Sequence, residues 1–306
     1  MKNILVIGSM NMDLVTHVNK TPLVGETILG FGFNEIPGGK GANQAVAIGK
    51  LGGNVRMLGM IGNDNYGQVL NDNLKKNNVN IDLVHTTEEK STGLAMIMVN
   101  EDGDNSIVVI SGANFELKPE MINDDYLENI DFVLAQLETP MDTIEEIFVK
   151  AKAKGITTIL NPAPARELSQ RLIDHTDMLI PNETEFKELT GFDADQEENI
   201  YKGAQILFDS GVKEIIITLG KMGAYYINSD LKEYRSLAFK VNAVDTTAAG
   251  DSFIGGLLTQ LAMNKPIEEA IDYGMKVGAV TVSRHGAQNS LPTHTEVEIF
   301  KGDKYL

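Results

Sequence analysis

Cysteine is missing from this 306-residue chain, which excludes a disulfide framework and thiolate metal sites. Basic residues are scarce beside acidic ones: 26 Lys and Arg against 43 Asp and Glu, for a net charge of −17. Nucleic-acid binding needs a basic footprint, so this balance argues against it. It also repels anionic membranes, and an anionic ligand must be held by a locally organised site because the overall field opposes it. No apolar run approaches the ~20 residues of a membrane helix. The opening MKNILVIGSMNMD carries one lysine and a short apolar run that breaks at Asn11 and Asp13, too soon for a secretory signal. The expectation is a soluble, cytoplasmic protein with no nucleic-acid or membrane partner.

Several catalytic signatures are absent too. No G-x-S-x-G elbow occurs, which disfavours an α/β-hydrolase. There is no H-E-x-x-H, and the five histidines are scattered, so a zinc site is disfavoured. GSMNMD after the first apolar run is no G-x-G-x-x-G fingerprint, which undermines a nicotinamide-dependent oxidoreductase. In PGGKGANQA the lysine is followed by glycine rather than Ser or Thr, so this is no Walker A loop. Carboxylates, amides and glycines remain, a set suited to an oxygen-rich ligand, hard cations and phosphate.

Short apolar runs at 4–8, 55–61, 132–136, 157–160, 177–180 and 214–220 read as buried strands. Helical patterns lie near 40–51, 65–77, 118–129, 142–154, 184–189, 197–209, 249–263 and 267–283. Continuous apolar strands separated by helices predict a doubly wound, mainly parallel α/β sheet flanked by helices. Residues 14–36 and 91–111 break that rhythm, reading as strands without intervening helices, and NEDGDN at 100–105 is a hairpin signal. One domain over 1–306 is expected, with those strands forming a small second sheet. That sheet is either a lid over a ligand crevice, with an apolar face able to pair with a second copy, or a plain edge extension.

In a doubly wound sheet, ligands bind beyond the carboxyl ends of the strands. Asn11 and Asp13 follow the first strand, Glu138 the third, Asn161 the fourth, Asn182 and Glu185 the fifth, and LGKMGA the sixth. Turn and cap chemistry explains any one of these; five together favour a site. In VDTTAAGD, Asp251 and Gly250 stand where a long apolar helix pattern begins. A helix N-terminus bears about +0.5 of a charge and unpaired amides, so this turn suits a phosphate. Equally, Asp251 serves there as a cap. Asp245, six residues earlier, is not needed for capping, and the two acids suggest a proton acceptor with a cation site. PGGKGANQA is a second glycine-rich helix start, either a ligand-facing loop or a turn into a buried helix.

The motifs GGKGANQA, LNPAPARELS, PNETEF, TLGKMG, DTTAAGD and SRHGAQNS together resemble the ribokinase family of carbohydrate kinases, also called the PfkB family, over essentially the whole chain. The resemblance implies that ATP phosphorylates the O5 hydroxyl of D-ribose. It implies Asp251 as catalytic base, with Ala248, Ala249 and Gly250 forming an anion hole. It assigns the sugar to Asn11, Asp13, Gly39, Lys40, Asn43 and Glu138 as well as Asp251. The nucleotide falls to Asn182, Thr218, Gly220, Gly223 and Gly250, with Glu185 near Mg2+ and Met275 near the adenine. A monovalent cation, K+, is assigned to Asp245, Ser290 and the backbone at Thr247, Thr281, Arg284 and Gly286. A homodimer through the lid is expected from the apolar face of the small sheet.

Two positions depart from the family pattern. Met275 stands where some members have histidine, and AAGD replaces the GAGD of many members. The rival readings are another family kinase acting on fructose, a sugar acid or a nucleoside, and a catalytically idle sugar-binding regulator on the same fold.

Overall fold

The computed structural model describes residues 1–305. Its first third runs β1 (Asn3–Ile7), β2 (Asn11–Val18), β3 (Gly30–Gly38), α1 (Lys40–Lys50), β4 (Asn54–Gly62), α2 (Asn65–Lys76), β5 (Val79–Thr87), β6 (Gly93–Val99) and β7 (Asn105–Ile110). Then come β8 (Phe132–Ala135), α3 (Met141–Ala153), β9 (Thr157–Leu160), α4 (Gln170–Asp174), β10 (Met178–Leu179), α5 (Glu183–Thr190) and α6 (Glu197–Ser210). The remainder is β11 (Glu214–Thr218), β12 (Ala224–Asn228), β13 (Glu233–Ser236), α7 (Ala249–Ala262), α8 (Ile267–Val282) and α9 (His294–Ile299).

Strand β1 shows why the main sheet is covered on both faces. Ile4 and Val6 enter one core, Leu5 and Ile7 the other, as the two-residue period of a strand dictates. The sheet has nine strands in the order β13-β12-β11-β10-β9-β8-β1-β4-β5. It is parallel from β11 to β5, and only the β11–β12 and β12–β13 pairings at one edge are antiparallel. Helices α1, α2, α7 and α8 supply one core, and α3, α5 and α6 the other. The expected α/β, mainly parallel sheet flanked by helices is borne out. Its strand order reverses beside β1, which lies between β8 and β4, and such a switch point opens a crevice at the carboxyl ends of the strands.

A separate four-stranded sheet has the order β3-β2-β6-β7. All four strands come from the segments expected to form a second sheet, and Gly103, at φ 85°, turns the β6–β7 hairpin. Strand β2 begins at Asn11, so Asn11 and Asp13 belong to this sheet rather than to a loop after β1. Phe31, Phe33, Met96 and Ile107 to Ile110 are exposed on it.

One expected helix is absent: 118–129 folds as two 3-10 turns, Pro119–Met121 and Asp124–Leu127. Asn123 between them is extended, at φ −91° and ψ 150°, and this resets the chain before α-helical bonding can propagate. Strands β5, β12 and β13 went unforeseen. β5 mixes polar with apolar residues, and β12 and β13 form an antiparallel edge.

Helix α7 is buried along most of its length. A Cβ at Gly255 would lie 2.4 Å from the Ala47 Cβ, and one at Gly256 would lie 2.8 Å from a Val277 methyl. Glycine therefore lets α7 approach α1 and α8 closely, which brings the first turn of α7 against the side chains of α1.

Candidate active site

At the switch point, the Ser9 hydroxyl after β1 donates to the Glu138 carboxylate after β8. The same carboxylate accepts the Lys40 amide (3.1 Å), the Ser9 hydroxyl oxygen accepts the Gly41 amide (3.4 Å), and the Ser9 carbonyl accepts the Ala42 amide (2.9 Å). The first amides of α1 are therefore engaged. Gly39, the residue before α1, sits at φ 88°, where any Cβ would lie 2.7 Å from the Asn11 amide nitrogen. Only glycine folds there without strain. Of the two glycine-rich helix starts, this one is closed to an anion and presents side chains instead.

Asp251 stands in the first turn of α7, yet caps nothing. Its Oδ2 accepts from Asn43 Nδ2 and its Oδ1 from Gln44 Nε2, each at 2.9 Å. Asp251 is only 7% exposed. Behind these donors stand two chains of amides. Gln44 Nε2 also donates to Asn161 Oδ1 (3.1 Å), whose own amide donates to the Ile180 carbonyl (2.9 Å), while Gln136 Nε2 donates to Gln44 Oε1 (2.6 Å). Gln288 Nε2 donates to Asn43 Oδ1 (3.1 Å), and Asn73 donates to Gln288. A carbonyl such as that of Ile180 only accepts, so it fixes which end of each amide points where. Both chains therefore deliver N–H groups to Asp251 and fix the orientation of its carboxyl group.

The N-terminus of α7 is largely open. The Ala249 amide bends back to the Thr246 carbonyl (3.2 Å), and the Ser252 amide bonds the Ala248 carbonyl (2.8 Å). The amides of Ala248, Gly250 and Asp251 have no partner among the described residues. Ala248 adopts φ 60° and ψ 12°, a left-handed conformation that costs L-residues ~1 kcal/mol. A Cβ at Gly250 would meet nothing within 4 Å, so this residue faces open space.

That space is a cleft of about 520 Å³ lined by Asn182, Thr218, Gly220, Gly223, Gly250 and Met275, six of the seven positions singled out for a nucleotide. Glu183, Lys221, Thr246, Ala249, Phe239, Val282 and Tyr305 line it as well. Glu185, the seventh, is buried beside it in a capping box at the start of α5, where both its oxygens accept from Asn182 (2.9 and 3.1 Å). Beyond the cleft, the Asp245 carboxylate accepts the Thr247 and Gly286 amides, each at 2.9 Å, tying the 245–247 loop to 284–290. Ser290 and Thr281 are fully buried there. The Thr281 carbonyl accepts the Arg284 amide (3.1 Å), and the Arg284 guanidinium turns away to Glu296 (2.8 Å).

Charges in the crevice perturb one another. Burial, then Glu138 and Asp251, push the Asp13 carboxyl up to about 7. Burial opposes the Lys40 ammonium, but Asp251, Glu138 and Glu185 outweigh it and hold its pKa above the ordinary value. Burial chiefly raises Glu185. Asp245 is kept low despite its burial, because Thr247 and Gly286 donate to it.

The structure thus gathers Asn11, Asp13, Gly39, Lys40, Asn43, Glu138 and Asp251 at one crevice beside the cleft. Sequence reasoning did not single out Ser9, Gln44, Gln136 and Gln288 for a role. Gln44 and Gln288 stood inside quoted motifs, but which residue they bond depends on contacts more than 200 positions away along the chain.

Comparison with known proteins places this geometry in a class. A family model described as pfkB family carbohydrate kinase matches residues 1–294. The chain belongs to that family and is an ATP-dependent sugar kinase. It is 42% identical to the ribokinase of Bacillus subtilis over 304 residues, covering 97% of this chain and 99% of that one. It is 39% identical to a deoxyribokinase of Salmonella typhi, covering 95% and 96%. The solved Arabidopsis thaliana ribokinase, complexed with ribose and ATP, superposes with a TM-score of 0.92 at 31% identity, covering 97% and 98%.

Proposed function

We propose that the chain transfers the γ-phosphoryl group of ATP to the O5 hydroxyl of D-ribose, giving ribose 5-phosphate. The observation that carries this reading is a buried carboxylate, Asp251, held by Asn43 and Gln44 within three residues of unpartnered amides at Gly250 and Ala248. Phosphoryl transfer asks for alignment and charge stabilisation. Asp13, Asn11, Lys40, Asn43 and Glu138 offer the acceptors and donors that a polyhydroxylated sugar needs, with Gly39 allowing close backbone approach. Asp251 orients the hydroxyl and takes its proton as the bond to phosphorus forms and the bond to the ADP oxygen breaks. The amides of Ala248 and Gly250 face the developing charge. That of Ala249 joins them only by releasing its 3.2 Å bond to Thr246.

Among the described residues, no three His, Asp or Glu side chains gather as a metal cluster. This fits Mg2+ held mainly by phosphate oxygens and water, with Glu185 the carboxylate that would support it. It would neutralise phosphate charge. Asp245, with Ser290 and the carbonyls of Thr247, Thr281, Arg284 and Gly286, presents the hard oxygens that suit K+ behind the anion hole. The small sheet is read as a lid, and its exposed Phe31, Phe33, Met96 and Val108 as the seam of a homodimer working in the cytoplasm. A monomer in sedimentation at micromolar concentration would remove that seam.

The likeness to a deoxyribokinase favours 2-deoxyribose as a second reading. The test is ATP consumption across ribose, 2-deoxyribose, fructose and nucleosides. Ribose should give the highest kcat/KM. A preference for any other acceptor overturns the substrate assignment, and no turnover with any of them supports an idle binding protein.

A further inference from the structure

Segment 300–305 follows α9 and returns to the mouth of the nucleotide cleft. It joins the stretch after β13 as a short antiparallel pair. The Tyr305 amide donates to the Ala238 carbonyl (2.8 Å), the Lys240 amide donates to the Asp303 carbonyl (2.7 Å), and Phe239 and Lys304 form the bridge between them. Side chains fasten the join. The Lys304 ammonium bonds the Asp272 carboxylate on α8 (2.7 Å) and lies 5.4 Å from the Phe239 ring centroid. Phe300 meets Phe239 edge-on, with centroids 5.6 Å apart.

The consequence is the placement of one aromatic ring. Tyr305 lines the cleft with Val241, Ala243, Met275 and Val282, while the Lys240 ammonium lies 5.7 Å from its ring centroid. Tyr305 is 39% exposed, so its ring still has surface to offer a ligand. Val241, Ala243, Met275 and Val282 are uncharged, and the charge beside the Tyr305 ring is the Lys240 ammonium. These walls suit a flat heteroaromatic base, whereas phosphates are served by the open amides of α7.

We infer that Tyr305 is a base-binding residue, its ring forming one wall of the subsite that takes the purine, and that the pairing of 238–240 with 303–305 holds it there. The inference rests on reading this cleft as the nucleotide site. Stacking of a base on an aromatic ring is strong enough that its loss changes affinity about tenfold.

The test is calorimetric binding of ADP to the full chain, which measures the subsite without sugar chemistry. Tyr305→Ala should weaken ADP about tenfold, Tyr305→Phe should bind close to wild type, and the KM for ribose should not move in either. Equal ADP affinity in Tyr305→Ala and wild type overturns the inference while leaving the cleft's assignment standing. A fall in Tm with the ADP Kd and the ribose KM rising together makes the segment a structural brace and also overturns it. A wild-type chain that binds no ADP defeats the cleft's assignment and the inference with it.

Discussion

Gln44 Nε2 stands 2.9 Å from Asp251 Oδ1, and the two residues are 207 positions apart in the chain. Gln44 cannot turn over, because the same nitrogen serves Asn161 and its oxygen accepts from Gln136. Gln44→Met removes a donor to the carboxylate and leaves Asn161 and Gln136 short of a partner. With the carboxylate less firmly oriented, kcat should fall by roughly 10- to 100-fold. Stability should fall by roughly 1–3 kcal/mol in urea unfolding. A kcat equal to wild type would show that the contact only packs. Asp251→Asn, by contrast, should lower kcat by ~100-fold or more at every pH while ribose still binds.

Asp13 gives a pH dependence of definite sign. Its carboxyl is pushed from 3.8 to about 7 in the folded chain. Between those values the folded state binds the extra proton, so stability falls as pH rises through that window. Asp13→Asn should therefore be more stable than wild type in urea unfolding at pH 8, with the gap closing toward pH 4. The carboxylate is the better acceptor for sugar hydroxyls, so the KM for ribose should climb as pH drops below about 7 in wild type alone. A KM that is flat with pH refutes the role.

Ala248 occupies a left-handed conformation at φ 60°, a region that glycine enters without steric cost. Ala248→Gly relieves that strain, partly offset by the greater freedom of glycine in the unfolded chain. A gain of up to ~1 kcal/mol is expected, read as a rise in Tm. A lower Tm would mean that the methyl group packs usefully.

Asp245 bonds the Gly286 amide and so links the loop before α7 to the loop after α8. Replacing sodium with potassium in the assay should raise kcat, and Asp245→Asn should abolish that response. Its carboxyl stays ionised because Thr247 and Gly286 donate to it, so the cation response should persist in mildly acidic buffer. Equal rates in the two salts would eliminate the proposed cation site.

Much of the scaffold was legible. Runs such as ILVIG and EIIIT are apolar on both faces, a local property that fixes buried parallel strands. The polar residues after those strands fell on the right rim because strand polarity and winding put them there. The two glycine-rich helix starts looked alike, and their local chemistry could not separate them. Folding separates them: Glu138 and Ser9 close the amides of α1, while those of Gly250 and Ala248 stay open. The 118–129 pattern misled because helical spacing survives in short turns that Asn123 interrupts.

The sequence by itself determined the elements, the apolar faces and the inventory of carboxylates, amides and glycines, since these depend on residues within a few positions of one another. Tertiary structure alone decided that Asp251 faces Gln44 and Asn43 rather than its own helix, and that Tyr305 reaches the cleft. Those contacts join residues that only the packing of α7 on α1, and of segment 300–305 on the stretch after β13, brings within hydrogen-bonding or van der Waals range.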